Sequence, residues 1–271
     1  MPGIIRHPAV AGRFYPSEPD ELLERLGSFL HSNEPSVRAL GCVVPHAGYV
    51  YSGAVAGAVF SRLEVPRRCI ILCPNHTGRG TPLSIMSAGA WQTPLGLIYI
   101  DSGLAAALKN AFPHLTEDWQ AHLNEHAIEV ELPFLQVRHG KDLTFVPIVL
   151  GTSDFEVLSG LGSAIAHVLA TESDPILIIA SSDMNHYESD EVTRIKDHRA
   201  IDKILALDGR GLFDVAKKEH ISMCGLGPTV SMMTAVTQMH AARADLAAYA
   251  TSAEISGDYS RVVGYAGILL Y

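Results

Sequence analysis

The sequence predicts an α/β fold, a single domain in which a central mixed β-sheet is flanked by helices. Short apolar runs alternate with helical patterns through most of the chain, which is typical of layered α/β domains. The sequence contains no internal repeat, low-complexity segment or Pro/Gly/Ser-rich linker, so residues 1–271 are interpreted as one domain. The region 83–100 is hairpin-like and turns at TPLG (93–96), which indicates that some strands are antiparallel.

Eight strands are predicted, each from a short run that is rich in apolar residues. They cover residues 39–44, 68–73, 83–88, 96–100, 143–150, 175–180, 247–253 and 261–270. Eight helices are predicted from apolar residues at helical spacing. They cover residues 18–31, 53–62, 102–111, 126–138, 154–170, 191–206, 210–219 and 228–242. We expect the last strand to make the chain end part of the sheet.

Composition and charge narrow the classes of function. Hydrophobic residues make up 48% of the chain and charged residues 18%, enough apolar side chains for a large core. The net charge is −9, and the 20 Lys and Arg form no basic stripe, which argues against nucleic acid as a partner. The N-terminal stretch MPGIIRHPAVAGRFYP lacks the apolar core of a signal peptide, and no apolar run is long enough to span a bilayer. We therefore expect a cytoplasmic protein that does not bind membranes.

The four cysteines are too few to indicate a disulfide framework. Cys42, Cys69 and Cys73 lie in predicted strands. Cys69 and Cys73 are four residues apart and would share one face, which favours a core position over a metal site. Cys224 differs because it precedes a predicted helix whose first turn suits Pro228. The helix dipole is expected to lower the pKa of its thiol, which favours a thiolate that acts as a ligand or nucleophile.

Three predicted strands lead directly into histidine-containing loops. ALGCVV runs into PHAGY, RCIILC into PNHTG and PILIIA into SSDMNHY. In open α/β sheets, ligands bind beyond the carboxyl ends of the strands, so these loops should form one polar site. The residues predicted to meet there are His46, His76, Asp183 and His186.

A lone histidine after a strand is more often a residue that bonds to the backbone than a ligand, and that alternative holds for each loop taken singly. The other histidines have no comparable context, and we interpret them as surface or helix-face residues. They are His7, His31, His114, His122, His139, His167, His198, His220 and His240. His126 is not among them because it lies in an acidic segment of its own.

The segment NEHAIEVELPFL (124–135) also carries chemistry. Glu125 and His126 stand at the start of a predicted helix, with Glu129 one turn later, so that acidic groups can hold an imidazole there. A plain helix cap is an equally good explanation of Glu125. Neutral imidazoles and a thiolate are the usual ligands of Fe, Cu and Zn, and two imidazoles with one anionic ligand leave coordination positions open, as catalytic metals require.

These motifs, taken together, resemble the Memo family, whose bacterial and archaeal members are called AmmeMemoRadiSam system protein B. The resemblance covers essentially the whole chain. It rests on AVAGRFYP, VPHAGYVYSG, ILCPNHTG, TPLG followed by Asp101, EHAIEVELPFL, SSDMNHY, MCG with a proline four residues after its cysteine, and GYAGILLY. The resemblance implies a fold similar to that of LigB-type extradiol dioxygenases, which are non-haem iron enzymes that open catechol rings.

The resemblance also implies a metal site formed by His46, His76 and Cys224. His126, Asp183 and His186 are then candidate acid/base groups around the metal. The extradiol dioxygenases use two histidines and a carboxylate, whereas a cysteine takes the third position here. Because a thiolate is softer and is itself oxidisable, ring cleavage does not follow from the resemblance alone.

Three functions compete at this point. The first is a mononuclear oxidoreductase that uses one transition-metal ion, with Fe(II) expected and Cu or Zn as alternatives; Tyr49 would line its pocket, and Asn75 and Arg79 would contact substrate. The second is a module that binds a peptide or an anion, as eukaryotic relatives of the family are thought to do with phosphotyrosine segments. Arg79 is the basic residue near the motifs that suits it. The third, structural zinc, lacks the required four closed ligands.

The expected partner is an unidentified small molecule or peptide, and a homo-oligomer is compatible with the sequence.

Overall fold

The computed structural model describes residues 4–32 and 35–271; Met1–Gly3, part of the N-terminal stretch considered above, lie outside them. The described chain contains twelve strands and ten helices. The strands are β1 (Ile5–Arg6), β2 (Gly41–Val44), β3 (Arg68–Pro74), β4 (Leu83–Ile85), β5 (Ala90–Thr93), β6 (Gly96–Ile100), β7 (Thr116–Glu117), β8 (Thr144–Leu150), β9 (Ile176–Ser181), β10 (His186–Glu188), β11 (Ala244–Thr251) and β12 (Val262–Leu270). The helices are α1 (Pro19–Phe29), α2 (Tyr49–Arg62), α3 (Ser102–Ala111), α4 (Gln120–Leu123), α5 (Leu132–His139), α6 (Phe155–Leu169), α7 (Asp190–Leu205), α8 (Gly209–Lys218), α9 (Leu226–Gln238) and α10 (Ala253–Ser256).

All twelve strands belong to one mixed sheet. Its main path runs β1-β5-β6-β8-β3-β9-β2-β12-β10, with β11 paired to β12 and with β4 paired to β7 and β8. The central strands β8, β3, β9 and β2 are mutually parallel, and β12 is antiparallel to β2. The predicted single α/β domain with a mixed sheet and flanking helices is confirmed.

The central strands are buried on both faces, which explains their continuous apolar sequences. Residues of β3 alternate between two cores: Ile70 and Leu72 face one, and Cys69, Ile71 and Cys73 face the other. The first core lies under α3, α6, α7, α8 and α9, and the second under α1, α2 and α5. The prediction that Cys69 and Cys73 share a core face is confirmed, and burial raises the pKa of both thiols.

The predicted turn at TPLG is confirmed. β5 and β6 form an antiparallel hairpin in which Thr93 pairs with Gly96. Most predicted elements are present with shifted ends, and the short strands β1, β5, β7 and β10 are additional.

The predicted helix 126–138 is wrong in its first half. Residues 127–131 form turns, and the helix begins only at Leu132, followed by Pro133. Proline suits a first helical turn because its missing N–H has no partner there in any case. The turns before it let the carboxylates of Glu125, Glu129 and Glu131 point to three different places in the fold, as described below.

In the part of the chain that the structure describes, no helix combines the length and the apolar character needed to cross a bilayer.

The functional loops meet because of the parallel pairing. β2, β3 and β9 run in the same direction, so their carboxyl ends reach the same edge of the sheet. The loops that follow these strands carry His46, His76 and Asp183.

Candidate metal centre

His46 lies two residues beyond the end of β2 and is 1% exposed. Its backbone N–H donates to Asp183 Oδ1 at 2.8 Å. Its ring nitrogen Nδ1 lies 2.8 Å from Ser181 Oγ, and its Nε2 lies 3.2 Å from Cys224 Sγ. The main chain of His46 is therefore held by the loop that follows β9, and its ring by the last residue of β9 and by the segment that precedes α9.

His76 lies two residues beyond the end of β3, and its side chain is 32% exposed. Glu125, which is fully buried, bonds to it twice: Oε2 accepts the backbone N–H at 2.7 Å, and Oε1 accepts Nδ1–H at 2.9 Å. This leaves Nε2 as the ring nitrogen available to a ligand. A carboxylate behind a histidine fixes the tautomer and raises the basicity of the opposite nitrogen.

His126 completes a group of three imidazoles. Its ring stacks on that of His76 at 4.8 Å between centroids and lies 5.5 Å from that of His46. The rings of His46 and His76 are 5.0 Å apart, which confirms that these two histidines meet. One nitrogen from each of the three residues lies within 4.8 Å of the other two, so the group could hold a metal ion.

Cys224 is half-buried just before α9 and touches His46. The backbone N–H of Asp183 donates to its Sγ at 3.3 Å. The expectation that the helix dipole lowers the pKa of this thiol is wrong. Burial, and then the negative charge of Asp183, raise the pKa well above its usual value.

The protonation states of the histidines follow from their surroundings. Burial lowers the pKa of His46, His126 and His186, and neighbouring imidazoles lower that of His46 further. Burial acts in the same direction on His76, but its hydrogen bond to Glu125 raises the pKa of His76 overall. For Glu125, hydrogen bonds from His76 and Ala127 outweigh burial and lower the pKa. The neutral imidazole, which is the form that binds metals, is thus favoured at His46, His126 and His186.

Asp183 and His186 lie in the loop after β9 and at the start of β10. The carboxylate of Asp183 bonds to the main chain of His46 rather than to an imidazole, and burial raises its pKa to about 6. The Nδ1–H of His186 donates to the carbonyl oxygen of Ser222 at 3.0 Å, and its backbone N–H donates to Ser222 Oγ. His186 is close enough to His46 and His76 for the charges to affect one another's pKa.

The three predicted substrate-binding residues are placed differently from one another. Tyr49 is 4% exposed, and its hydroxyl donates to the carbonyl oxygen of Val130, so its ring belongs to the core. The side chain of Asn75 bonds within its own loop, to Thr77, Gly78 and Arg79. Arg79 is exposed, and no described residue forms an ion pair or hydrogen bond with its guanidinium.

Two residues, one in the acidic segment and one at the end of β9, have roles that the sequence did not predict. Glu129 holds no imidazole; it accepts hydrogen bonds from buried Arg6, from Tyr15 and from the main chain of residues 9–10. Ser181, the last residue of β9, was missed. The histidine in the neighbouring loop was its only available signal, because serine in a strand carries no chemistry of its own.

His122 corrects the interpretation of the remaining histidines. It is fully buried, and neither ring nitrogen has a hydrogen-bond partner among the described residues. Burial, reinforced by the charge of Arg6, lowers its pKa to about 4.

The chain is similar to one family of proteins over nearly its whole length. The family model described as Memo-like protein matches residues 6–269. A MEMO1 family protein of Methanopyrus kandleri is 41% identical, with 97% of this chain and 98% of the relative covered. One from Methanosarcina barkeri is 42% identical over 98% of this chain and all of the relative, and one from Methanothermobacter thermautotrophicus is 38% identical over 97% and 99%.

Proposed function

The chain belongs to the Memo family, and we propose that it is a non-haem, metal-dependent oxidoreductase that holds one transition-metal ion through His46, His76 and Cys224. Iron(II) is the first candidate, with copper and zinc as alternatives. The reaction partner is a small organic molecule, for which an aromatic ring is suggested by the resemblance to extradiol dioxygenases.

The observation that carries this proposal is the preparation of two imidazoles as ligands. His46 Nδ1 is bonded to Ser181 and His76 Nδ1 to Glu125, while the rings lie 5.0 Å apart. Metal–imidazole bonds of about 2 Å require such closeness. Histidines that bind metals usually donate their other ring N–H to a carboxylate, a carbonyl oxygen or water, and here Glu125 and the hydroxyl of Ser181 occupy those places. The donor set therefore fits a borderline transition metal.

The third donor has two candidates. Cys224 is supported by its 3.2 Å contact with His46 Nε2, and a thiolate would supply the anionic ligand that iron or copper favours. Its raised pKa in the metal-free protein means that binding an ion must displace a proton. His126 is supported by its place among the three clustered imidazoles. We assign Cys224 to the ion and leave His126 as an acid/base group.

A bound redox metal would supply electron transfer and Lewis acidity to a substrate beside it. The chain itself would contribute proton transfer. His126 and His186 are neutral and partly exposed, so each can accept a proton from a substrate in the cleft. Asp183 would hold His46 and Cys224 in fixed positions relative to one another. Its carboxylate accepts the backbone N–H of His46, and its own backbone N–H donates to Cys224 Sγ.

The second candidate function is an anion-binding or peptide-binding module in the same cleft. It is favoured by the exposed guanidinium of Arg79, which is available for a carboxylate or phosphate. In that case Arg79→Gln should abolish binding of the anion, and removal of metal should not change it.

The test is anaerobic reconstitution of the protein with Fe(II), followed by elemental analysis and oxygen-uptake assays on a panel of catechols. Cys224→Ser should lose most of the iron because a neutral hydroxyl is a poor ligand, whereas His126→Ala should retain it. The opposite result would make His126 the ligand. Iron binding without oxygen uptake on any substrate would favour the binding module.

A further inference from the structure

Ser181 Oγ lies at the centre of three polar groups behind His46. His46 Nδ1 is 2.8 Å away, the carbonyl oxygen of Ala127 is 2.8 Å away, and Glu131 Oε1 is 3.1 Å away. Ser181 and Glu131 are both 0–1% exposed. Water therefore does not compete for these bonds, and the hydrogen positions must satisfy the groups themselves.

A hydroxyl has one hydrogen to donate and two lone pairs to accept with. The carbonyl oxygen of Ala127 can only accept, and at 2.8 Å it is nearer than the other possible acceptor, Glu131 Oε1 at 3.1 Å, so it takes the single hydrogen of Ser181. The other two neighbours must then both donate to Ser181 Oγ. His46 can do this only if Nδ1 carries its hydrogen, and Glu131 can do it only as a carboxylic acid.

Glu131 satisfies that condition independently. Arg6, a buried cation that bonds to the same segment, is bonded to Glu129 and to the carbonyl oxygens of His122 and Glu125 rather than to Glu131. Burial, together with the charge of Asp183, raises the pKa of Glu131 well above its usual value. Its Oε2 has no partner among the described residues. In a neutral acid that donates through Oε1, Oε2 is a carbonyl oxygen, which is less costly to leave unpaired than a carboxylate oxygen.

We infer that Ser181 and Glu131 are positioning residues that hold His46 as the tautomer with its hydrogen on Nδ1 and its Nε2 lone pair facing Cys224. The assignment gives the two imidazoles different support, a neutral hydroxyl behind His46 and a carboxylate behind His76. His76 is then the stronger donor. The inference deepens the proposed function, but the tautomer is a property of the metal-free protein and can be tested there.

The experiment is two-bond ¹H–¹⁵N correlation NMR on metal-free, ¹⁵N-histidine-labelled protein, with His46→Gln used to identify the His46 signals. We expect Nδ1 of His46 to be protonated and Nε2 to be unprotonated. Ser181→Ala should yield a mixture of tautomers, and Ser181→Thr, which keeps the hydroxyl, should restore the single form. Glu131→Gln should preserve it because the amide N–H replaces the acid O–H, whereas Glu131→Leu should give a partial mixture.

Ser231→Ala is the matched control, since Ser231 is equally buried and its hydroxyl bonds to the carbonyl oxygen of Leu158. It should leave His46 unchanged. In a parallel titration, Ser181→Ala should weaken binding of Fe(II) by about 10–100-fold relative to Ser231→Ala.

Two results would overturn the inference: a hydrogen on Nε2 of His46 in the wild-type protein, or a single unchanged tautomer in Ser181→Ala. If Glu131→Gln and Glu131→Leu gave the same spectrum, Glu131 would have no role in fixing the His46 tautomer. A wild-type protein that shows the expected tautomer but binds no metal would contradict the proposed function and leave this inference standing.

Discussion

Glu125 binds His76 at both its main chain and its ring, through two separate carboxylate oxygens. Glu125→Gln should weaken metal binding by about 10–100-fold, because the amide cannot accept both bonds equally and no longer supports the basicity of Nε2. Competition with a chromophoric chelator measures the change. Glu117→Gln, which alters a carboxylate bonded to Ser87 and Lys109, should have the affinity of the wild-type protein.

Asp183→Asn tests whether Asp183 holds the site together without binding the ion. The amide oxygen can still accept the His46 N–H, so we expect metal affinity to fall by about 100-fold at most. The turnover rate should fall by a larger factor than the affinity. Elemental analysis and steady-state rates separate the two effects. Complete loss of metal would instead make Asp183 a ligand.

Arg6→Met should destabilise the protein by about 3–5 kcal/mol, because it leaves the carboxylate of Glu129 buried without its cation. Urea denaturation gives the free energy of unfolding. Arg210→Met, which removes the exposed pair with Asp214 on one face of α8 and the contact of the guanidinium with the Phe155 ring, should cost no more than about 1.5 kcal/mol. Similar losses for the two variants would contradict the buried ion pair.

His122 should make the protein sensitive to acid. Its pKa is about 4 in the folded protein against 6.5 ordinarily, so below pH 6.5 the unfolded chain binds a proton that the folded chain does not. The free energy of unfolding should fall between pH 6.5 and 4 with a slope of up to about 1.4 kcal/mol per pH unit from this residue. His122→Leu should remove that part of the slope, whereas His167→Gln, on the exposed side of α6, should not.

Gly225→Ala should disturb the cysteine segment. A Cβ there would lie 2.3 Å from Ser182 Cβ and 2.4 Å from the carbonyl oxygen of Ser181, so the segment beside Cys224 must shift, at a cost of about 1–3 kcal/mol. In contrast, a Cβ at Gly27 in α1 meets nothing within 4 Å, and Gly27→Ala should stabilise by about 0.4–1 kcal/mol. Thermal unfolding of the two variants should move in opposite directions.

The sequence was most informative where structure is local. Continuous apolar runs identified the buried parallel strands, and the rule that such strands end at one edge predicted that His46 and His76 would meet. These predictions required only the spacing of apolar residues along the chain and the shared direction of parallel strands.

Long-range bonds explain where the sequence misled. Glu125 and Glu129 fit a helical pattern, yet their partners His76 and Arg6 lie 49 and 123 positions away. The same holds for Cys224, whose thiol pKa is raised by burial and by the charge of Asp183, 41 positions away, and for His122, whose ring packs against that of Trp91. No periodicity contains that information.

The contact between His46 and Cys224 joins residues 178 positions apart. At about 5–20 residues per second, the ribosome takes roughly 10–35 seconds to synthesise the chain between them. Contacts of such sequence separation also carry a large loop-closure entropy. A nascent chain thus presents two histidines well before it can present the thiol. If an ion requires all three residues, as proposed above, it can bind only after the segment that carries Cys224 has been synthesised.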